Sequence, residues 1–457
     1  MAESGTNVEL PTRTKTDFDV VIVGAGIAGI GSAYHLKTGN PGKSFAIFDE
    51  QESFGGTWHT HKYPGIRSDS DLHTFGYRFK PWRGTPIATA EEIRKYMQEV
   101  ISENDLEKDI HYRHRILTAR WSTERSRWEL EIEDLAQGIT KRISTRFLWM
   151  CQGYYRHDKG YTPEWPGMED FKGTIVHPQE WSDDIDPAGK KIVVIGSGAT
   201  AATLVPSLTE SAEHVTMVQR SPGYFTPGRN RNELAETLRS LEIDPAWIHE
   251  IVRRSILSEG AKRTKAILAN PDAARTELLK GLSSYLDEET IEKHFTPSYA
   301  PWNQRICFVP DGDFFKAMNA GKASVVTDRI EKFTPDGLLL ASGETIDADI
   351  IITATGFDLL AMGGVQFYVD DKPFDFADTV TYRGMMFTGV PNMVWVFGYF
   401  RASWTLRADL VGDFVTRVLK HMDENSLATV EVVLASDEAE MERLPFVDPN
   451  DFNPGYL

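Results

Sequence analysis

Two glycine-rich turns are the parts of this sequence that most directly indicate chemistry. The first follows an apolar strand at 17–23, precedes a helical pattern, and contains Gly24, Gly26 and Gly29. Glycines at this spacing permit a tight turn, close approach of a pyrophosphate and packing of helix on strand. The next predicted strand ends at Asp49, whose carboxylate can accept ribose hydroxyls. A plain α/β turn is the alternative, but the combination predicts a dinucleotide site.

The second turn lies near the middle of the chain and follows a predicted strand at 191–195. The residues of this turn assigned to a nucleotide are Gly196, Ser197, Gly198 and Thr200. The following strand ends at Arg220 and Ser221, so this position has no carboxylate that could accept hydrogen bonds from ribose hydroxyls. Because a guanidinium can clamp phosphate oxygens, Arg220 favours NADPH over NADH. The alternative for Arg220 is a surface charge in a loop.

A stretch between the two turns holds one imidazole between aromatic anchors. It contains Phe171, Gly173, His177 and Trp181 in the order FxGxxxHxxxW. Such a segment can attach a linker to two domains at once, because aromatic anchors lie at both ends and glycine allows a sharp turn. The alternative is a connector whose histidine is hydrogen-bonded and inert. Its place between two nucleotide turns favours a role of His177 in coupling them.

A further pattern begins with paired glycines and ends at a carboxylate. Gly55-Gly56-Thr57-Trp58 is followed by Tyr63-Pro64-Gly65 and then by Asp69. Adjacent glycines let the backbone approach a flat ring, and an indole can pack beside it. The cofactor-binding residues predicted here are Gly56, Thr57, Trp58 and Asp69. For Asp69 the alternative is a turn-forming residue in the polar run 68–71.

The last two patterns resemble the two fingerprints of flavin-dependent Baeyer–Villiger monooxygenases, and the similarity covers nearly the whole chain. In that family the histidine pattern is usually followed by Pro or Asp, whereas Ser182 follows it here. The motif set resembles the subgroup that includes a mycobacterial monooxygenase which activates thioamide prodrugs. The resemblance implies FAD at the first glycine turn and NADPH at the second.

The segment 301–307 resembles the one that supplies the active-site arginine of this family. The resemblance implies that Arg305 is the catalytic cation and Asp69 its ion-pair partner, with His177 as a third catalytic residue. Gln304 stands where the family usually has lysine. The alternative for Arg305 is a structural arginine that bridges two domains.

An ATGF element at 354–357 resembles the point where the chain of this superfamily crosses back to the FAD domain. It adds Thr355 and Gly356 to the predicted cofactor-binding residues. A helix follows, for which Ser403 is the predicted N-cap. The apolar face predicted for this helix consists of Leu406, Leu410, Phe414 and Val418.

The resemblance implies a specific reaction. NADPH would reduce FAD, O2 would add to the flavin as a C4a-peroxide, and this peroxide would convert a ketone into an ester or lactone. Its protonated form would oxidise sulfides. The alternatives are an N- or S-hydroxylating flavin monooxygenase that forms no ester, and a non-catalytic FAD/NADPH redox sensor.

Composition limits the remaining possibilities. The 457 residues are 41% apolar and 25% charged, as in globular proteins, and the net charge of −18 disfavours nucleic acid as a partner. The two cysteines, Cys151 and Cys307, form no CxxC pair, which argues against a disulfide reductase. Residues 1–16 lack the apolar core of a signal peptide, no run is long enough for a membrane span, and we expect a cytoplasmic protein. The sequence indicates no metal site. It ends at Leu457, where relatives often continue, so we expect part of the active-site cover to be absent.

These elements predict an α/β protein with two Rossmann-like domains, one for FAD and one for NADPH. The FAD domain comprises 1–155 and 353–457, and the NADPH domain comprises 156–352 with a helical insertion at 229–295. Within the FAD domain, Thr89 opens a capping box and strands from 117 to 150 form an antiparallel meander. The apolar stripes expected to face the core of the insertion are Trp247, Ile248, Ile251, Val252 and Ile256, and Leu278, Leu279, Leu282, Tyr285 and Leu286.

Overall fold

A computed structural model describes residues 16–438 and 440–453 of the chain. The N-terminal segment from which the absence of a signal peptide was predicted lies outside the described residues, except for Thr16. The last four residues, 454–457, also lie outside them.

Strands supply the framework of two main sheets and several small ones. In chain order they are β1 (Phe18–Val23), β2 (Phe45–Phe48), β3 (Ile110–His111), β4 (His114–Ser122), β5 (Arg127–Asp134), β6 (Ile139–Met150), β7 (Tyr155–Gly160), β8 (Thr174–Val176), β9 (Lys191–Ile195), β10 (His214–Gln219), β11 (Phe225–Gly228), β12 (Cys307–Pro310), β13 (Ala323–Thr327), β14 (Ile330–Thr334), β15 (Gly337–Leu340), β16 (Thr345–Asp347), β17 (Ile350–Thr353), β18 (Phe357–Leu359), β19 (Gln366–Val369), β20 (Lys372–Pro373), β21 (Thr381–Tyr382), β22 (Met386–Phe387) and β23 (Met393–Trp395).

Helices cover the sheets and form the insertion. In chain order they are α1 (Ile27–Gly39), α2 (Thr57–Thr60), α3 (Leu72–Phe75), α4 (Ala90–Glu103), α5 (Ala199–Leu208), α6 (Glu233–Ser240), α7 (Pro245–Ala269), α8 (Pro271–Leu282), α9 (Glu288–Phe295), α10 (Asp313–Asn319) and α11 (Trp404–Glu424). The predicted capping box is present at the start of α4, where Thr89 and Glu92 bond each other's backbone amides. Among the described helices, none combines the length and apolarity needed to cross a bilayer.

The first sheet carries the first glycine turn. β1 pairs in parallel with β2 and β6, and β23 continues the parallel run beside β6. β6 also extends into the predicted antiparallel meander with β5 and β4, to which β19 and β20 are added. The turn after β1 lies at the carboxyl end of parallel strands, the edge at which open α/β sheets bind ligands.

The second sheet carries the second glycine turn and is parallel throughout. Its strand order is β13-β10-β9-β17-β8, with β9 and its glycine turn at the centre. Each sheet therefore has the Rossmann arrangement, and the predicted α/β class with two dinucleotide-binding units is confirmed.

Two adjacent strands connect the sheets. β7 leads the chain from the first sheet to the second, β18 leads it back, and the two pair antiparallel. The predicted domain limits fall at the start of β7 and inside β17, and they stay predictions. Since both crossings lie side by side, the chain passes between the two units at one place.

The first stripe predicted for the helical insertion is only partly buried. Helices α6 to α9 occupy the predicted segment, but Trp247 is 66% exposed and Ile251 38% exposed. The buried face of α7 instead includes Ile248, Val252 and the polar residues His249 and Arg253. A search for apolar periodicity passes over such a face because half of it is polar. The prediction of a core-facing Trp247 and Ile251 was wrong.

The apolar face predicted for α11 is not the most buried side of this helix. Leu410 is 55% exposed, while the buried side of the helix contains apolar residues such as Val411, Val415 and Leu419 together with the charged Asp409. Gly412 lies against the ring of His35 on α1, where a Cβ atom would be 2.5 Å from that ring. Close packing of α1 and α11 thus requires a glycine at this position. Ser403 occupies the N-cap position, but its hydroxyl bonds Thr74 rather than the helix.

Candidate active site

One cavity of about 1200 Å³ lies between the two sheets, and almost all of the predicted site residues line it. Both glycine turns, the paired-glycine segment, the central histidine and the segment after the insertion line it. The predicted residues that line this cavity are Gly24, Gly26, Asp49, Gly56, Thr57, Trp58, Asp69, His177, Gly196, Ser197, Gly198, Thr200, Arg220, Ser221, Arg305, Thr355 and Gly356. Residues spread over more than 300 positions therefore meet at one place.

Gly29 does not line the cavity and has a packing role instead. A Cβ atom on Gly29 would lie 1.8 Å from the carbonyl oxygen of Gly24. Helix α1 packs against the end of β1 only because this position has no side chain.

The first glycine turn and the paired glycines form one surface. Gly24 has φ +98°, and a Cβ atom there would lie 2.7 Å from the carbonyl oxygen of Cys151. The amide of Gly55 donates to the carbonyl of Ala25 over 3.0 Å, and the Cα of Gly26 would lie 3.2 Å from a Cβ atom on Gly56. Two backbone segments without side chains thus face the cavity together. This surface fits a pyrophosphate at the amino end of α1.

Asp49 lies at the edge of this surface and is almost completely buried. Its carboxylate accepts hydrogen bonds from the amides of Ala25 at 2.5 Å and Gln51 at 2.8 Å. Burial raises the pKa of Asp49 to about 6, although these amide bonds act in the opposite direction. The acid at the end of β2 also fixes the glycine turn.

The second glycine turn is more open than the first. Gly196 has φ +132°, and a Cβ atom there would lie 2.3 Å from the carbonyl oxygen of Ala354. Gly198 begins α5, and no atom lies within 4 Å of the place where its Cβ would be. The free amides at the start of α5 therefore face open cavity, as nucleotide phosphates require.

Two arginines lie where the second sheet ends at the cavity. Arg220 follows β10 and Arg329 lies two residues beyond β13, and these strands pair at Gln219 and Thr327. The sequence analysis missed Arg329, because its closeness to Arg220 depends on the parallel pairing of two strands far apart in the chain.

Arg305 and Asp69 form the predicted ion pair at the wall of the cavity. Arg305 Nε donates to Asp69 Oδ2 over 2.6 Å, and Arg305 Nη1 donates to the carbonyl oxygen of Phe400 over 3.3 Å. Burial acts to raise the pKa of Asp69, but the charge and hydrogen bonds of Arg305, with a bond from Ser70, hold it below its usual value. Asp69 is therefore an anion that orients the guanidinium.

His177 lies at the pair of connecting strands. Its Nδ1 accepts a hydrogen bond from the amide of Gln179 at 3.2 Å, so its Nε2 carries the proton and donates to the carbonyl oxygen of Gly356 at 3.0 Å. The ring occupies the space beside Gly160, where a Cβ atom would lie 1.9 Å away. Burial lowers the pKa of His177, which keeps the ring neutral. His177 thus touches both crossings between the units.

The remaining predicted residues shape the cavity wall. The hydroxyl of Thr57 bonds the hydroxyl of Tyr155, and the indole of Trp58 meets the ring of Phe75 edge-on at 5.5 Å. Thr355 donates to the carbonyl oxygen of Tyr161 over 2.6 Å, which joins the two crossings a second time.

Several residues of the cavity wall have polar atoms without a partner among the described residues, and Gln152 and His61 are two of them. Both side-chain amide atoms of Gln152 and Nε2 of His61 are buried without a hydrogen bond. Buried polar groups are almost always satisfied, so these atoms indicate a polar ligand in the cavity. With the glycine surface they fit FAD. The sequence analysis missed both residues, which belong to none of its patterns.

Cys151 and Cys307 are buried and free, and burial raises the pKa of each thiol to about 12. Across the described part of the chain, no three His, Cys, Asp or Glu side chains converge as metal ligands would.

Comparison with known proteins agrees with this geometry. Residues 18–279 match the family described as pyridine nucleotide-disulphide oxidoreductase. The chain is 47% identical to the FAD-containing monooxygenase EthA of Mycolicibacterium smegmatis over 96% of this chain and 88% of the relative. It is 46% identical to the probable FAD-binding monooxygenase AlmA of an Acinetobacter species over 93% of this chain and 85% of the relative.

A solved structure of an oxidised steroid monooxygenase bound to NADP has the same fold. It superposes with a TM-score of 0.74 at 24% identity and covers 91% of this chain and 88% of its own. The predicted enzyme class and the prediction of FAD are confirmed by the two relatives. Two dinucleotide-binding units around one cavity, free thiols and near-full-length identity above 40% lead to one conclusion: the chain belongs to the FAD-containing monooxygenases.

Proposed function

We propose that this enzyme inserts one oxygen atom beside a ketone carbonyl. A ketone, O2, NADPH and a proton would give an ester or lactone, NADP⁺ and water. The observation that carries this proposal is the Arg305–Asp69 ion pair at the wall of the cavity that both glycine turns share. Sulfides are the second proposed class of substrate.

FAD fits the first glycine turn, and bound FAD would take hydride from NADPH and pass the electrons to O2. Gly24, Gly26 and Gly56 would form the backbone surface for it, Asp49 would accept from the ribose, and Gln152 would bond with its unpaired amide. NADPH is the proposed reductant, since Arg220 and Arg329 together suit a 2′-phosphate. The steroid monooxygenase of the same fold was solved with NADP.

Arg305 is proposed as the catalytic cation. Its guanidinium would stabilise the negative charge that develops on the substrate oxygen, because a preoriented cation costs no reorganisation when that charge appears. Asp69 would hold the fork of Arg305 in place and keep part of its charge compensated before substrate binds. His177 would not touch the reacting atoms and would couple the two units instead.

We also propose that the enzyme works in a reducing compartment, the cytoplasm. Support comes from its cysteines, Cys151 and Cys307, which are both free although each is buried in a stable fold.

The test is a rapid-mixing experiment. The enzyme is reduced by NADPH without oxygen, mixed with oxygenated buffer, and followed by flavin absorbance with a ketone, a sulfide or no substrate. The proposal is supported if oxidised flavin returns only after a delay, and if added ketone shortens this delay and is converted to an ester.

Other outcomes of this experiment favour the alternatives. A delay shortened only by sulfide, without ester from any ketone, would favour an S-hydroxylating enzyme. Immediate reoxidation with hydrogen peroxide as the main product would favour an oxidase or a redox sensor.

A further inference from the structure

Three loops meet at Arg305. The first is the irregular segment 299–306, which carries Arg305 itself, and the second is 399–402, which follows β23. The third is the segment 448–453, here called the strap. Asp448 organises the strap as a turn, because its carbonyl oxygen accepts from the amides of Asp451 and Phe452 at 3.0 and 2.9 Å.

Arg401 ties the strap to the loop of Arg305. Its guanidinium binds both carboxylate oxygens of Asp451 at 2.8 and 2.9 Å and the carbonyl oxygen of Asp451 at 2.7 Å. The same guanidinium donates to the carbonyl oxygen of Trp302 over 3.3 and 3.4 Å. This one side chain thus makes five hydrogen bonds to two segments of the chain. The planar fork of arginine fits such an arrangement, and the ammonium of lysine does not.

Two more contacts join the same segments. The amide of Asn453 donates to the carbonyl oxygen of Asn303 over 2.8 Å. The ring of Phe452 is 3% exposed and lies 4.8 Å from the ring of Phe400. Phe400 in turn accepts the hydrogen bond of Arg305 Nη1. The strap therefore contacts both the loop that carries Arg305 and the loop that binds its guanidinium.

The loop needs external support. Trp302 has φ +72°, a conformation that residues other than glycine rarely adopt and that persists only where surrounding contacts impose it. Its carbonyl group is the one that Arg401 binds. When Arg401 loses its partner in the strap, Trp302 loses part of the contact that fixes it.

We propose that Arg401 and Asp451 are positioning residues, which hold the loop 299–306 so that Arg305 stays oriented for oxygen transfer. This proposal rests on the function proposed above for Arg305. Without the strap, electrons from NADPH would still reach O2, but NADPH, a proton and O2 would give NADP⁺ and H2O2 instead of oxygenated product. Coupling would fall while reduction of the flavin continued.

The test compares Asp451→Asn and Arg401→Lys with Glu442→Gln, which removes an exposed carboxylate from the same part of the chain. We expect Asp451→Asn and Arg401→Lys, together called the strap variants, to reduce flavin at the wild-type rate and to release on the order of ten-fold more hydrogen peroxide per NADPH, as a displaced catalytic group would. Asp451→Glu should restore part of the coupling. Hydrogen exchange of a peptide covering 299–306 should accelerate in the strap variants and stay unchanged in Glu442→Gln.

A double-mutant cycle tests whether the strap acts through Arg305. In an Arg305→Ala background, Asp451→Asn should lower the remaining yield of oxygenated product no further, because the group that it positions is absent. Additive effects, or unchanged exchange at 299–306 in the strap variants, would overturn the proposal. If the wild-type enzyme formed no ester while the cycle behaved as expected, the proposed ketone substrate would be wrong. The positioning role of Arg401 and Asp451 would still be supported.

Discussion

At the scale of single residues, the site combines residues that could be predicted from the sequence with residues that could not. The glycines matter through the side chains that they lack, and they were predictable because backbone geometry limits these positions to glycine. Arg305 and Asp69 were predictable only through resemblance to a family. Gln152 and Arg329 were not predictable at all, since an unpaired amide or a second arginine beside Arg220 becomes visible only when distant segments are brought together.

Arg305→Ala should separate reduction from oxygen transfer. The flavin should still be reduced by NADPH, whereas product formation should fall by roughly two to three orders of magnitude, as when a group that stabilises developing charge is removed. Stopped-flow absorbance and product analysis check the two parts. Ester formation at the wild-type rate by this variant would remove Arg305 from the mechanism.

Asp49 should make the stability of the FAD-free protein decrease as the pH rises, which is the opposite of the usual effect of a carboxyl group. Since burial raises its pKa from 3.8 to about 6 in the folded protein, the folded state holds the proton more tightly than the unfolded state. Its contribution to stability is present below pH 4 and is lost as the pH rises to 6. The loss should reach roughly 3 kcal/mol, at about 1.4 kcal/mol for each pKa unit.

The measurement is the free energy of unfolding of the wild type and Asp49→Asn between pH 4 and 7. The difference between the two proteins should change across this interval in favour of the variant, while the variant should bind FAD more weakly. Parallel curves would show that Asp49 keeps its ordinary pKa.

At the scale of elements, the sequence predicted which segments are helices and strands better than it predicted their faces. The strands beside each glycine turn and the meander were correct because continuous or alternating apolar runs define them. The predicted faces of α7 and α11 were wrong at Trp247, Ile251 and Leu410, and each helix also buries a charged residue that an apolar pattern does not show. The two buried charges, Arg253 and Asp409, bind each other at 3.4 Å.

The pair β7 and β18 is the element at which His177 should be tested. His177→Ala removes the ring beside Gly160 and the bond to Gly356, without touching either glycine turn. We expect unchanged affinity for FAD and a larger share of NADPH oxidised without product. The affinity is measured by fluorescence titration and the coupling from product and peroxide yields.

His214→Ala is the matched control, because His214 bonds Ser324 at the far end of β10. If NADPH oxidation is coupled to product formation equally well in His177→Ala and in this control, His177 has only a structural role.

At the scale of the whole molecule, the helical insertion belongs to one unit in sequence and contacts the other in space. Arg253 of α7 donates to the carbonyl oxygens of His73, Thr74 and Gly76 at 3.1–3.2 Å, all of them in the FAD unit. His249 accepts from the amide of Trp82 in the same unit. Sequence periodicity could not show this contact, because polar groups bonded to backbone carbonyls leave no apolar pattern.

Arg253→Met should therefore destabilise the folded protein. Removing one partner of a buried ion pair leaves an uncompensated charge and costs about 3 kcal/mol or more. Arg254→Met is the matched control, since Arg254 is 78% exposed and pairs only with the neighbouring turn at Glu250, where the cost should stay below about 1 kcal/mol. Denaturant unfolding of the two variants gives both values, and equal values would contradict the role of the buried pair.

The docking of α7 also limits how the two units can move. A body attached at one point can rotate about three axes, whereas a body attached at two separate points can rotate only about the line that joins them. The two units here are attached at more than two places: at the paired strands β7 and β18, where α7 contacts α3 and Asp409, and at the ion pairs Arg305–Asp69 and Arg67–Asp313. Any swing of the NADPH unit against the FAD unit must therefore break at least one of these contacts.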